Sequence, residues 1–295
     1  MLVSVACALG AALLYAAASV LQQRAAAAEP PHRSLRLGLL AGLLRRPSWL
    51  LGILADAGAF GLQFAALATG PIAVAQPLLV LSLLFALPLG ARISGQHPRG
   101  RDLGAAVVAC VGLALFLGVA HPAPGDSFVE PRVWLTLLTA GGGSAFVLAT
   151  LGSRAPAGRG KAVLISASAG VTFGLAAALT KTTSQLIAGH LLGVFGHWEL
   201  WALVTAGVAG LVLGQSAFQA GSLGVSMPTM TVCDPVVSVL IGALAFKETI
   251  AHSALAVVAE AVGLVLTAVG IYALAQSPVI VGAAGAGERP PAAAG

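Results

Sequence analysis

Charge is what this chain has least of. Only 8% of its 295 residues are Asp, Glu, Lys or Arg, against about 25% in a soluble domain, so there is too little polar surface to cover a globular core. Aromatic residues are scarce too, at 5%. The basic residues form no patch interleaved with aromatics, which argues against nucleic acid as a partner despite a net charge of +5. Cys7, Cys110 and Cys233 sit in apolar runs at no metal-ligand spacing, which speaks against a disulfide framework and a zinc site. The six His show no paired spacing for a metal either. No cofactor is expected.

What the chain has instead is apolar length. With 58% hydrophobic residues and a mean hydropathy of +0.96, its main solvent is lipid. A helical crossing needs roughly 20 apolar residues. Nine stretches qualify, at 2–23, 49–69, 71–91, 103–120, 132–151, 162–182, 200–221, 225–246 and 252–275. Their length and the lack of strict alternation point to helices and not to an outer-membrane barrel. The expected fold class is an all-α polytopic membrane helix bundle. No Lys or Arg precedes the first stretch and Arg24 follows it, the charge order of an uncleaved span.

The placement of charge sets an expected topology. Arg24, Arg33, Arg36, Arg45 and Arg46 follow the first span, Arg92, Arg99 and Arg101 the third, and Arg154, Arg159 and Lys161 the fifth. Asp126, Glu130 and Glu199 fall on the other side, with only Arg132 and Lys247 as basic residues. By the positive-inside rule the amino terminus lies outside and the carboxy terminus inside a cytoplasmic (plasma) membrane.

Sliding the sequence against itself exposes a repeat. Gly70 and Pro77 match Gly221 and Pro228 at an offset of 151, and Ala106-Val107-Val108-Ala109 matches Ala256-Val257-Val258-Ala259 at 150. Spans two to four thus correspond to seven to nine. Five crossings separate equivalents, so the two copies face opposite ways, an inverted repeat built around two broken-helix units. Residues 1–275 read as one membrane domain with halves 1–120 and 132–275, followed by a disordered tail, 276–295. Span six has only residues 34–44 in its corresponding place, an interfacial segment too short to cross. Gly170/Gly174 and Gly210/Gly214 are GxxxG pairs that favour close packing within the monomer over a homodimer face.

Polar residues inside spans are costly and mark pathways by default. Asp56 and Gln63, two turns apart, share a face of span two with Ala59 and Phe60; that face lines a cavity or bonds a neighbouring helix. Gln76 stands beside Pro77 in span three. Asp234, between Pro228 and Pro235 in span eight, adjoins carbonyls that proline leaves free, either a cation or proton site or a bonded kink. Glu260 in span nine is a proton carrier or a paired neutral acid. Lys181 in span six snorkels outward or pairs with Glu260 or Asp234. Gln215 and Gln219 share a face of span seven and bring polar groups from the second half. Asp56 and Asp234 are the only metal candidates, and no catalytic residue is expected. Gly214-Gln215-Ser216 with His252 makes a weak case for a serine enzyme, so the chain is read as a non-enzyme.

From Trp49 to Ser82 the chain reads W-x-x-G, then Gln63-Phe64, Pro71, Pro77-Leu78 and Ser82. In that register it resembles the NIPA-type magnesium transporter branch of the drug/metabolite transporter superfamily, whose pattern has an Asn-Phe pair followed by prolines at these spacings. Gln215 to Phe218, Pro228 and Ala243-Leu244-Ala245-Phe246-Lys247-Glu248 look like the matching second-half segment and the Leu-Gly-Glu ending of EamA-like repeats. Where that family carries an acid three positions before its Asn, this chain has Phe60, with Asp56 one turn away. The resemblance implies nine spans and magnesium as cargo. The reading expected from the residues themselves is a secondary transporter of a small solute, with or without exchange against protons, with small molecules or cations and membrane lipid as its partners.

Overall fold

In a computed structural model the described residues are 1–27, 46–94, 99–120, 125–126, 128–156, 158–189, 192–220, 223–248 and 253–277. They form helices and no strand. In chain order these are α1 (Leu2–Ala27), α2 (Pro47–Thr69), α3 (Ile72–Leu79), α4 (Ser82–Ser94), α5 (Gly100–Ala120), α6 (Pro131–Leu137), α7 (Gly143–Arg154), α8 (Arg159–Gly189), α9 (Trp198–Ala220), α10 (Leu223–Ala245) and α11 (Ala254–Ala275). A π-helical turn, Leu138–Gly142, joins α6 to α7. Among the described residues, seven stretches are long and apolar enough to cross a membrane. The other two expected spans, α9 and α10, are 23 residues each, with shorter described apolar runs.

Packing follows the expected repeat. Helix α1 lies on α2 as α8 lies on α9; α1 lies on α3 and α4 as α8 lies on α10; α3 meets α10, and α5 meets α11. Span six therefore occupies the position in the second half that span one occupies in the first, so its counterpart is span one and not the segment 34–44. The segment 34–44 lies outside the described residues, as do Gly221 and 278–295.

The two broken-helix units differ. Span three does break: Pro77 removes a backbone donor, α3 ends at Leu79, and tight turns at Val80 and Leu81 lead into α4. Span eight runs unbroken through Pro228 and Pro235. The difference lies in the neighbour. Gly170 and Gly174 of α8 bring its backbone onto α10 at Met230, Cys233 and Val237, and α1 offers no such pair to α3 and α4.

A Cβ placed on Gly170 would lie 2.5 Å from Cys233 Cβ and 3.0 Å from Met230 O; on Gly210 it would lie 2.7 Å from the Phe173 ring. These glycines therefore serve contacts within the monomer. Gly170→Val is expected to cost about 1–3 kcal/mol of stability by forcing α8 from α10, measured by thermal unfolding in detergent. Gly207→Ala, with open space around it, should leave the midpoint unchanged or slightly raised.

Candidate functional site

Two polar assemblies lie inside the bundle. The first is at mid-helix depth. Asp56 accepts a hydrogen bond from Gln22 Nε2 of α1 at 2.6 Å, and Gln63 Oε1 accepts one from Tyr15 Oη at 2.6 Å. The shared face of Asp56 and Gln63 is thus turned onto α1, with Ala59 buried and Phe60 exposed. Tyr15 lies within electrostatic reach of both Asp56 and Asp234. Asp234 accepts from Ser238 Oγ at 3.1 Å, and its backbone sits against Gly170. One carboxylate from each half thus lies within electrostatic reach of one tyrosine, each near the middle of its helix.

The second assembly lies at the end of the bundle that carries Gly70. Helix α3 begins after Pro71, which has no side-chain acceptor to cap it, so the first N–H groups of the helix need a partner from elsewhere. Glu248, just past the end of α10, supplies it. Its Oε1 accepts from Ile72 N–H at 2.8 Å and its Oε2 from Ala73 N–H at 2.9 Å, where the helix dipole favours an anion. Lys181 Nζ completes the set by pairing with Glu248 Oε1. The carboxylate is fully buried, and the Lys181 side chain is 5% exposed. The Lys181 ammonium also lies 4.8 Å from the centre of the Phe246 ring, a cation–π arrangement. Gly242 leaves room for the carboxylate, since a Cβ there would lie 2.6 Å from Glu248 Oε2.

Outside this pair the connection is held from above. Asp126 N–H donates to Phe246 O at 2.6 Å, and Lys247 pairs with Asp126 at 3.0 Å on the surface. That hydrogen bond to Asp126, followed by the carboxylate's charge, pushes the Lys247 ammonium pKa up. Lys247 takes a left-handed backbone with φ of 51°, which turns the chain so that Glu248 points inward.

Lys181 therefore neither snorkels outward nor pairs with Glu260 or Asp234. Its partner is Glu248, brought in by the sharp turn at Lys247. Gln76 is buried one turn along α3, and its Nε2 finds no acceptor among the described residues; Pro77 is buried beside it. Glu260 is buried on α11, about two turns from the start of that helix. Gln215, Gln219 and Pro228 lie on α9 and α10, with side chains outside the described residues. Among the described residues no three His, Cys, Asp or Glu come together as a metal set. Sequence reasoning passed over Tyr15, Gln22 and Glu248 as site residues. Tyr15 carried a signal: it is one of two tyrosines in the chain and falls in the middle of an apolar span.

Over 251 residues, 84% of this chain and 86% of the other, the sequence is 32% identical to an uncharacterized protein of Corynebacterium glutamicum. The chain belongs to that protein's family. No family profile matches it, and no solved structure does. The relative carries no stated activity, so the family adds shared ancestry over most of the length and leaves the chemistry to the site.

Proposed function

We propose that this chain is a secondary transporter of the drug/metabolite type, carrying a small polar or amphipathic solute across the cytoplasmic membrane, coupled to protons, by alternating exposure of a central site. The observation that carries the reading is the presence of one carboxylate from each half, Asp56 and Asp234, near the middle of its helix and within electrostatic reach of the same tyrosine, Tyr15. Ionisable groups are expensive at that depth, so their presence marks a pathway by default, and a site between inverted halves can be exposed to either side by rocking one half against the other. The charge bias of the loops supports an amino terminus outside.

The test is transport by the purified protein in proteoliposomes. A thermostability screen over metabolites and cations selects ligands, and uptake is then followed with and without an imposed pH gradient. Gradient-dependent accumulation of a solute is the expected result. Magnesium uptake abolished by Asp56→Asn would place the chain instead with the divalent-cation carriers it resembles. A protein that binds and moves nothing in this screen would end the transport reading.

A further inference from the structure

The two polar assemblies are separated along the bundle. Gly170 packs at the level of Cys233 and Asp234, and at 1.5 Å per residue Lys181 stands about 16 Å further along α8. Around and below the Lys181–Glu248 pair, Leu67, Ile72, Ala178, Leu179 and Phe246 are all less than 2% exposed and belong to one core cluster that joins both halves. The Gly70 end is therefore shut above the central carboxylates.

What the pair holds is a short piece. Helix α3 has eight residues and joins α4 through tight turns at Val80 and Leu81, next to Pro77, which supplies no backbone donor; this joint is where α3 can hinge. Its amino end is tied to the second half through Glu248, and Glu248 is tied to Lys181. Three buried polar atoms in residues within one helical turn of Ala73 or Lys181 have no partner among the described residues: Gln76 Nε2, Thr182 Oγ1 and Thr183 Oγ1. Helical side chains lean toward the amino end, so Gln76 leans over the turn that Glu248 caps. Opening would hydrate these groups, which lowers the cost of parting the pair.

We infer that Lys181 and Glu248, seated on the amino end of α3, form the gate of the Gly70 side, and that their separation admits water and solute from that side to the central site. The inference rests on the transport reading for its purpose. A permanent brace is the rival, and it predicts that weakening the pair changes stability alone.

The test places a reporter below the gate. With Cys7, Cys110 and Cys233 replaced by Ser, Gln76→Cys is reacted with a membrane-impermeant maleimide from the side that labels Phe128→Cys, an exposed position near Asp126. The double variant Lys181→Met/Glu248→Gln removes both charges together and should raise the labelling rate about tenfold or more. Lys181→Arg, which keeps the pair, should label as slowly as the parent. Should the double variant not fold, Glu248→Asp, which shortens the reach while keeping the charge, should still accelerate labelling. Folded variants that label no faster than the parent would overturn the gate, whatever the flux. Faster labelling in a protein that carries no solute or ion would keep the closure at this end and remove the transport reading alone.

Discussion

Replacing Asp234 by Asn is expected to lower pH-gradient-driven accumulation of the solute at least about 100-fold, the scale on which a positioned proton-transfer group acts. Asn matches Asp in size and can still accept the hydrogen bond of Ser238 Oγ at 3.1 Å, so the contact of α10 with Gly170 and Gly174 of α8 is kept. What it loses is the capacity to take up and release a proton. Downhill exchange of labelled solute should continue near the parent rate, because binding and rocking of the halves need no net proton movement. Uphill accumulation alone should fail. Asp56→Asn keeps an acceptor for Gln22 in the same way, and the two single variants together identify which carboxylate carries the proton. If both accumulate solute at the parent rate, neither couples transport to protons.

The fold was largely legible because its main determinant is apolar length, and that is written directly in the sequence. The internal match of Gly70 and Pro77 with Gly221 and Pro228 likewise anticipated helices that pack in equivalent pairs. The site was legible only in part. Asp56 and Gln63 were placed on one face by their spacing, but spacing does not say which neighbour that face meets, and it meets Gln22 and Tyr15 of α1. Pro77 and Pro228 occupy equivalent places with opposite results, which the shared spacing could not tell apart. For Lys181 the partner lay outside the spans searched. Glu248 reaches the interior only because Lys247 adopts a left-handed turn, a conformation that nothing in Phe246-Lys247-Glu248 signals for a non-glycine residue.

Glu248→Ala is expected to cost about 3–5 kcal/mol of stability, the range for breaking a buried ion pair from one side. The loss has two sources in this structure. The Lys181 ammonium, at 5% exposure, would keep the Phe246 ring as its favourable neighbour among the described residues. The N–H groups of Ile72 and Ala73 would also lose their acceptor, and Pro71 has none to offer. Lys181→Met/Glu248→Gln should recover only part of the loss: no buried charge is left unpaired, but the Gln carbonyl can accept from just one of the two N–H groups of Ile72 and Ala73, so the amino end of α3 stays loosely held. Thermal unfolding followed by tryptophan fluorescence would report both, since Trp134 is buried in the same core cluster. A Glu248→Ala protein as stable as the parent would mean that water reaches Lys181 in the closed state. The pair would then be a surface bridge, and the buried tie between the halves would have to be sought elsewhere in the bundle.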